Sequence, residues 1–169
     1  MAGLIKIDEE IVTSAVASVT LTGIDSTYDV YMVKINGLSP DVGENIEMRV
    51  TESGTPNTTA NYDEAAKFLD STTSFGTQSN VNQAQWFNSL AIGNSTSEQT
   101  NGILYLYNFN NASEYSFYTK ENSSLTYLAG NTGYQGGGVF TSSSSCDGVQ
   151  FFFSSGNIAS GTFTLYKVV

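Results

Sequence analysis

Apolar and polar side chains alternate with period two along most of this chain, in short runs cut by turn residues every 8–14 positions. That pattern confines the chain to half-buried β-strands, because successive strand residues point to opposite faces of a sheet. Val16–Ile24 sets Val19 and Leu21 on one face and Thr20 and Thr22 on the other. Tyr28–Asn36 is apolar on both faces, as a central strand would be, and Asn36-Gly37 closes it with a turn. Glu44–Glu52 sets Ile46, Met48 and Val50 against Asn45, Glu47, Arg49 and Thr51. Arg49, the sole arginine, is expected to pair with a carboxylate across the strands.

The second half repeats the pattern. Ile103–Phe109 and Glu114–Lys120, joined by an Asn-rich turn, predict a hairpin. Gln85–Ile92, Leu125–Leu128, Val139–Thr141, Val149–Phe153 and Gly161–Val168 read as further strands. Ser71–Ala84 and the glycine-rich Gly130–Gly138 read as loops, and Tyr62–Asp70 as one short helix with Ala65, Ala66, Phe68 and Leu69 on its apolar stripe. The expected fold is therefore all-β: a single-domain β-sandwich over residues 1–169, jelly-roll-like, with about nine to ten strands and at most one short helix. Residues 1–8, alternating at Leu4-Ile5-Lys6-Ile7, form an N-terminal arm or edge strand. Leu4, Ile5 and Ile7 are the candidate assembly contacts.

Composition bears on function mainly by exclusion. The 169 residues include no His and one Cys, so Ser-His and Cys-His nucleophile pairs cannot form, nor can an intramolecular disulfide or a multi-cysteine zinc site. Cys146 reads as an inert thiol, lacking a neighbouring cation to ionise it. Six basic against 16 acidic residues give a net charge of −10, and the cations are scattered, which argues against nucleic acid. No run approaches the ~18 apolar residues of a membrane-spanning helix, and MAGLIKIDEE lacks the pattern of a signal peptide. Only 13% of residues are charged, while Ser, Thr and Asn number 22, 19 and 15. The polar surface is thus built from short uncharged side chains.

Individual motifs carry little chemistry. The glycines between 130 and 138 are followed by Val139 and Phe140 where a phosphate loop requires Lys and a helix. Asp8-Glu9-Glu10 lacks the alternate spacing of a calcium loop and reads as a solvated acidic turn. Asp25, Asp29, Asp63 and Glu64 form a glycosidase pair only if the fold sets two of them ~5–10 Å apart across a cleft. No catalytic, metal or cofactor set is expected. The ten Tyr and ten Phe matter more. Tyr105, Tyr107, Tyr118, Tyr134 and Tyr166 can stack on sugars or fill a protein interface where they face outward. Tyr118 and Tyr134 are the candidate glycan or protein contacts.

Several runs together resemble small virion proteins of tailed phages, especially marine and cyanobacterial ones. They are the Leu4–Ile7 start, Val16–Ile24, Tyr28–Val33, Arg49-Val50-Thr51 with Ser53-Gly54, Ala60–Asp63, Tyr107–Tyr115 and Gly156–Tyr166. Lys167 stands where that group continues with Gly. The resemblance covers residues 4–168 and implies a non-enzymatic jelly-roll-like protein displayed on the particle, with no catalytic residues to transfer. It is expected on the virion surface after assembly in the host cytoplasm. The expected role is a head decoration or cement protein bound to the major capsid protein, as a homo-oligomer, with a trimer favoured. Two other readings are a tail-fibre or receptor-binding module holding host glycan, and a carbohydrate-binding or glycan-hydrolysing module.

Overall fold

The computed structural model describes residues 3–87, 91–126 and 130–169. These residues form thirteen strands: β1 (Leu4–Val12), β2 (Ser18–Thr22), β3 (Val30–Pro40), β4 (Ile46–Glu52), β5 (Thr55–Pro56), β6 (Tyr62–Asp70), β7 (Phe75–Gln83), β8 (Trp86–Phe87), β9 (Thr100–Tyr107), β10 (Ser116–Thr126), β11 (Gly130–Phe140), β12 (Gly148–Phe153) and β13 (Ile158–Val168). One sheet runs β1-β13-β3-β9-β10-β11-β6-β7; the other runs β2-β12-β4-β5, with β8 also on β4. All pairings are antiparallel.

The order contains a jelly roll. β1-β13-β3-β9 and β2-β12-β4-β8 are two interlocked quartets between which the chain passes at each step except from β4 to β8, as in two Greek keys. The other strands are additions: β5, β6 and β7 between β4 and β8, and β10 and β11 between β9 and β12. β10, β11, β6 and β7 extend the larger sheet beyond β9. The core lies between the sheets: Val33, Leu104, Leu106, Phe163 and Leu165 face Leu21, Met48, Val50, Val149 and Phe151, all buried. The rings of Phe151 and Phe163 meet across it, 5.3 Å between centroids.

The all-β sandwich agrees with the alternation, with thirteen strands in place of nine to ten. The added strands are β5, β6 and β7, and β11 extends the expected strand at 139–141 back to Gly130. Residues 62–70 are strand β6, not a helix: Tyr62, Glu64 and Ala66 are buried in alternation, and β11 pairs with the segment over its length. A short segment takes the period of the partner it meets, whatever its helical propensity. Residues 71–84 contain a tight turn and edge strand β7, although only Phe75 and Val81 in that strand are large and apolar. The turn is made by Asp70, whose Oδ1 accepts from the backbone N–H of Thr72 and of Ser74, at 2.9 and 3.2 Å.

Residues 130–138 are strand β11, and their glycines serve close packing. A Cβ on Gly138 would sit 2.5 Å from the Asp63 carbonyl oxygen, 2.6 Å from Tyr118 and 2.8 Å from Trp86 Nε1. A Cβ on Gly136 would meet that of Ala66 at 2.4 Å. Elsewhere the expected strand 85–92 is represented by β8 and a bridge at Ile92, with residues 88–90 outside the described residues. Leu125 belongs to β10, while Leu128 lies outside the described residues.

The N-terminal segment is an edge strand rather than a free arm, paired with β13 from Leu4 to Val12. Asp8-Glu9-Glu10 lies within it, not in a turn. Asp8 accepts from the Thr22 backbone N–H at 2.7 Å, and Glu9 pairs with Lys6 at 2.9 Å. Arg49 meets no carboxylate among its described contacts. It donates to the Ala84 carbonyl at 3.1 Å and to Gln85 Oε1 at 3.2 Å, and its guanidinium lies 4.3 Å from the Phe152 ring centroid. Planar delocalised charge suits that stacked position.

At the turn before β3, Asp25 accepts from Lys167 at 3.0 Å, the Thr27 N–H at 2.9 Å and the Tyr31 hydroxyl at 3.0 Å. These donors, Lys167 foremost, hold its carboxyl well below the usual carboxylate range. A depressed folded-state pKa gives stability that is present above the unfolded value near 4 and lost as pH falls through the folded one. Acid melting profiles of Asp25→Asn should therefore fall less steeply below about pH 4 than those of the parent chain; parallel profiles would refute the linkage. The glycine reading is tested by urea unfolding. Gly138→Ala should cost about 1–3 kcal/mol by overpacking. Gly133→Ala, whose Cβ would meet nothing within 4 Å, should be close to neutral.

Candidate functional site

The densest chemistry lies inside the sheet extension. Trp86 of β8 closes over it, with Tyr62 edge-on at 4.8 Å and Tyr118 tilted at 4.7 Å between centroids. Its indole N–H donates to the Asp63 carbonyl at 3.1 Å. Beside this aromatic group lies Glu64, which points inward from β6 because inward positions alternate from Tyr62.

Both Glu64 oxygens are used. Oε1 accepts from Asn80 Nδ2 at 2.9 Å and Gln78 Nε2 at 3.3 Å. Oε2 accepts from the Phe87 backbone N–H at 3.0 Å, the Tyr118 hydroxyl at 3.1 Å and Lys120 Nζ at 3.5 Å. The side chains of Lys120 and Glu64 are 2% and 1% exposed. Lys120 Nζ also donates to the Phe87 carbonyl and lies 4.6 Å from the Tyr134 ring centroid. The Tyr134 hydroxyl donates to Gln78 Oε1. Burial pulls the Lys120 pKa down against the opposing pull of Glu64. Burial first, and the Glu64 charge second, push the Tyr118 and Tyr134 hydroxyls up.

This arrangement is a satisfied buried ion pair. Its donors all end on protein atoms, and such a pair fixes geometry more than it adds stability. It also overturns the expectation that Tyr118 and Tyr134 contact a partner. They are 1% and 3% exposed, since each falls on the inward parity of its strand. Asp63 and Glu64 are consecutive on β6 and face opposite ways, Asp63 accepting from the Asn82 N–H at 2.7 Å. Asp63 and Glu64 therefore do not face each other as a catalytic pair. Asp25 is held by Lys167. Among the described residues no group of three or more His, Cys, Asp and Glu could hold a metal. Cys146 is buried and its thiol is pushed up to about 11 by that burial, which leaves it unreactive.

No protein-family model and no curated protein sequence matches this chain. Among solved structures, an exo-inulinase from Aspergillus awamori aligns with 97% of this chain at 14% identity and a TM-score of 0.42. The chain spans 29% of that structure. An overlap this loose says nothing of what this chain binds.

The surface places the remaining candidates. Leu4 and Ile5 are 51% and 49% exposed on edge strand β1, joined by Ile11 at 62%. Ile7 instead packs against the core. The reading from sequence missed exposed apolar residues on the outer face of the larger sheet: Phe75 at 80%, Phe117 at 45%, Ile103 at 41%. Parity was the available signal, because Phe117 alternates with Ser116, Tyr118 and Lys120, but it leaves open which parity faces inward.

Replacing Lys120 by Met should destabilise the fold by about 3–5 kcal/mol, because it strands the Glu64 carboxylate in the interior. Combining it with Glu64→Gln should recover part of that loss. Denaturant unfolding in a double-mutant cycle should give a coupling of about 1–3 kcal/mol; additive losses would mean the two groups do not act as a pair.

Proposed function

We propose that this protein is a non-enzymatic virion structural protein of the head-decoration or cement type. It is exposed on the particle after assembly in the host cytoplasm and held to the major capsid protein by its sheet edges. The observation that carries the proposal is the open edge of the larger sheet at β1. It presents Leu4, Ile5 and Ile11 to solvent along an edge that no other described strand of that sheet covers. Exposed strand edges recruit further chains, and apolar side chains on such an edge add burial to the backbone ladder. The resemblance to small virion proteins and the uncharged Ser, Thr and Asn surface support the same role, in which the protein works by being bound. Symmetric oligomers are the default for such components, and a trimer suits a three-fold position in a shell.

Mass spectrometry and cryo-EM of purified particles test this. The chain should co-purify with the particle and account for density on the shell. Leu4→Ser/Ile5→Ser/Ile11→Ser should empty those positions while the isolated protein keeps its melting profile. Density on the tail, or absence from the particle, would overturn the decoration role; full shell occupancy by the triple variant would overturn the role of the β1 edge.

A further inference from the structure

The outer face of the larger sheet carries a second feature, separate from the β1 edge. Cross-strand register sets Lys34, Ile103, Glu121 and Gln135 in one row across β3, β9, β10 and β11. The adjacent row holds Tyr105, Thr119 and Gly137. Where these rows meet, a hollow of about 440 Å³ opens between Ile103 and Tyr105 on one side and Glu121 and Gln135 on the other, with Thr119 and Gly136 beside it. A second hollow of about 370 Å³ shares Ile103 and Glu121 with the first and continues to Asn36, Asn101 and Ser123, with Lys34 at its rim. Each volume falls within the ~300–1,000 Å³ typical of small-ligand sites.

The polar groups are oriented before any ligand arrives. Gln135 Nε2 donates to Glu121 Oε1 at 2.7 Å, which orients that carboxylate in the hollow that Tyr105 also lines. Asn101 Oδ1 accepts from the Gly37 N–H at 2.8 Å, which turns its amide donors away from that contact. Tyr105, 39% exposed, and Ile103 supply an apolar platform.

We infer that the adjoining hollows form a binding site for a neutral oligosaccharide at least two sugars long. A sugar ring has an apolar C–H face and a rim of hydroxyls, which matches an aromatic platform flanked by a carboxylate and amides. Of the two lysines that border the hollows, Lys120 is paired with Glu64 on the inner side of the sheet, and Lys34 balances Glu121. The chain's charge of −10 disfavours an anionic glycan. A wholly apolar ligand would desolvate the Glu121 carboxylate and the Asn101 amide donors without replacing their bonds to water. The inference is independent of where the protein sits on a particle.

Saturation-transfer NMR and calorimetry on the purified chain test it. The probes are trisaccharides of glucose, galactose, mannose and N-acetylglucosamine in α and β linkages, with sialyllactose as the anionic comparison. At least one neutral trisaccharide should bind and sialyllactose should not. Tyr105→Ala should weaken binding about tenfold or more, as loss of an aromatic anchor does. Gln135→Ala, at an exposed position, should weaken it with an unchanged melting profile. Thr77→Ala, on the same sheet face at β7, should leave it unchanged. Failure of every neutral probe to bind, preference for sialyllactose, or binding indifferent to Gln135→Ala would overturn the inference.

Discussion

A carboxylate buried on β6 dictates how the whole sheet extension is built. Once Glu64 is inside, each of its oxygens needs donors, and these must come from strands on both sides. β7 supplies Asn80, which lies opposite Glu64 in the register, together with Gln78. β8 supplies a backbone N–H, and β10 supplies Tyr118 and Lys120. β10 is not adjacent to β6, because β11 lies between them. The register places Gly138 between Glu64 and Tyr118, and Gly136 between Ala66 and Lys120. Bare backbone at those two positions leaves room for the phenol and the ammonium to pass over β11 to the carboxylate. The glycine-rich run is a consequence of that crossing.

This explains which parts of the fold were legible in the sequence. β2 and β4 belong to the jelly roll, and their apolar residues alternate visibly because one face meets a hydrophobic core. Val19 and Leu21, or Ile46, Met48 and Val50, announce their face without knowledge of the partner strand. β6, β7 and β11 do not. Their inward residues include Glu64, Gln78, Asn80, Gly136 and Gly138, which satisfy one another and resemble a loop or a weak helix when each segment is read alone. Pairing between segments distant in the chain supplies the strand character there, and local propensity holds no record of it.

The same cause inverted the reading of the tyrosines. On β10 the two faces are Phe117, Thr119 and Glu121 against Tyr118, Lys120 and Asn122, and a lysine ordinarily marks the solvent side. Here the lysine is inside, because the glutamate it pairs with is inside. Tyr118 and Tyr134 follow it inward, while Ile103, Tyr105 and Phe117 are left outside. On β10 the exposed Phe117 and the buried Lys120 are thus two views of one choice of parity.

That choice also bears on how the extension avoids mispairing. A glycine-rich strand offers little side-chain pattern, so its register against its neighbours is weakly specified, and a slip of two residues preserves which face is inward. Apolar packing around β11 would discriminate poorly between such registers. Glu64 and Lys120 discriminate sharply: a slip of β10 along β11 carries the ammonium away from the carboxylate and leaves two buried charges unneutralised, a cost of several kcal/mol. The buried pair therefore contributes register more than net stability. Holding the register of β10 against β11 also holds Glu121 opposite Gln135 on the outer face, where the hollows lie.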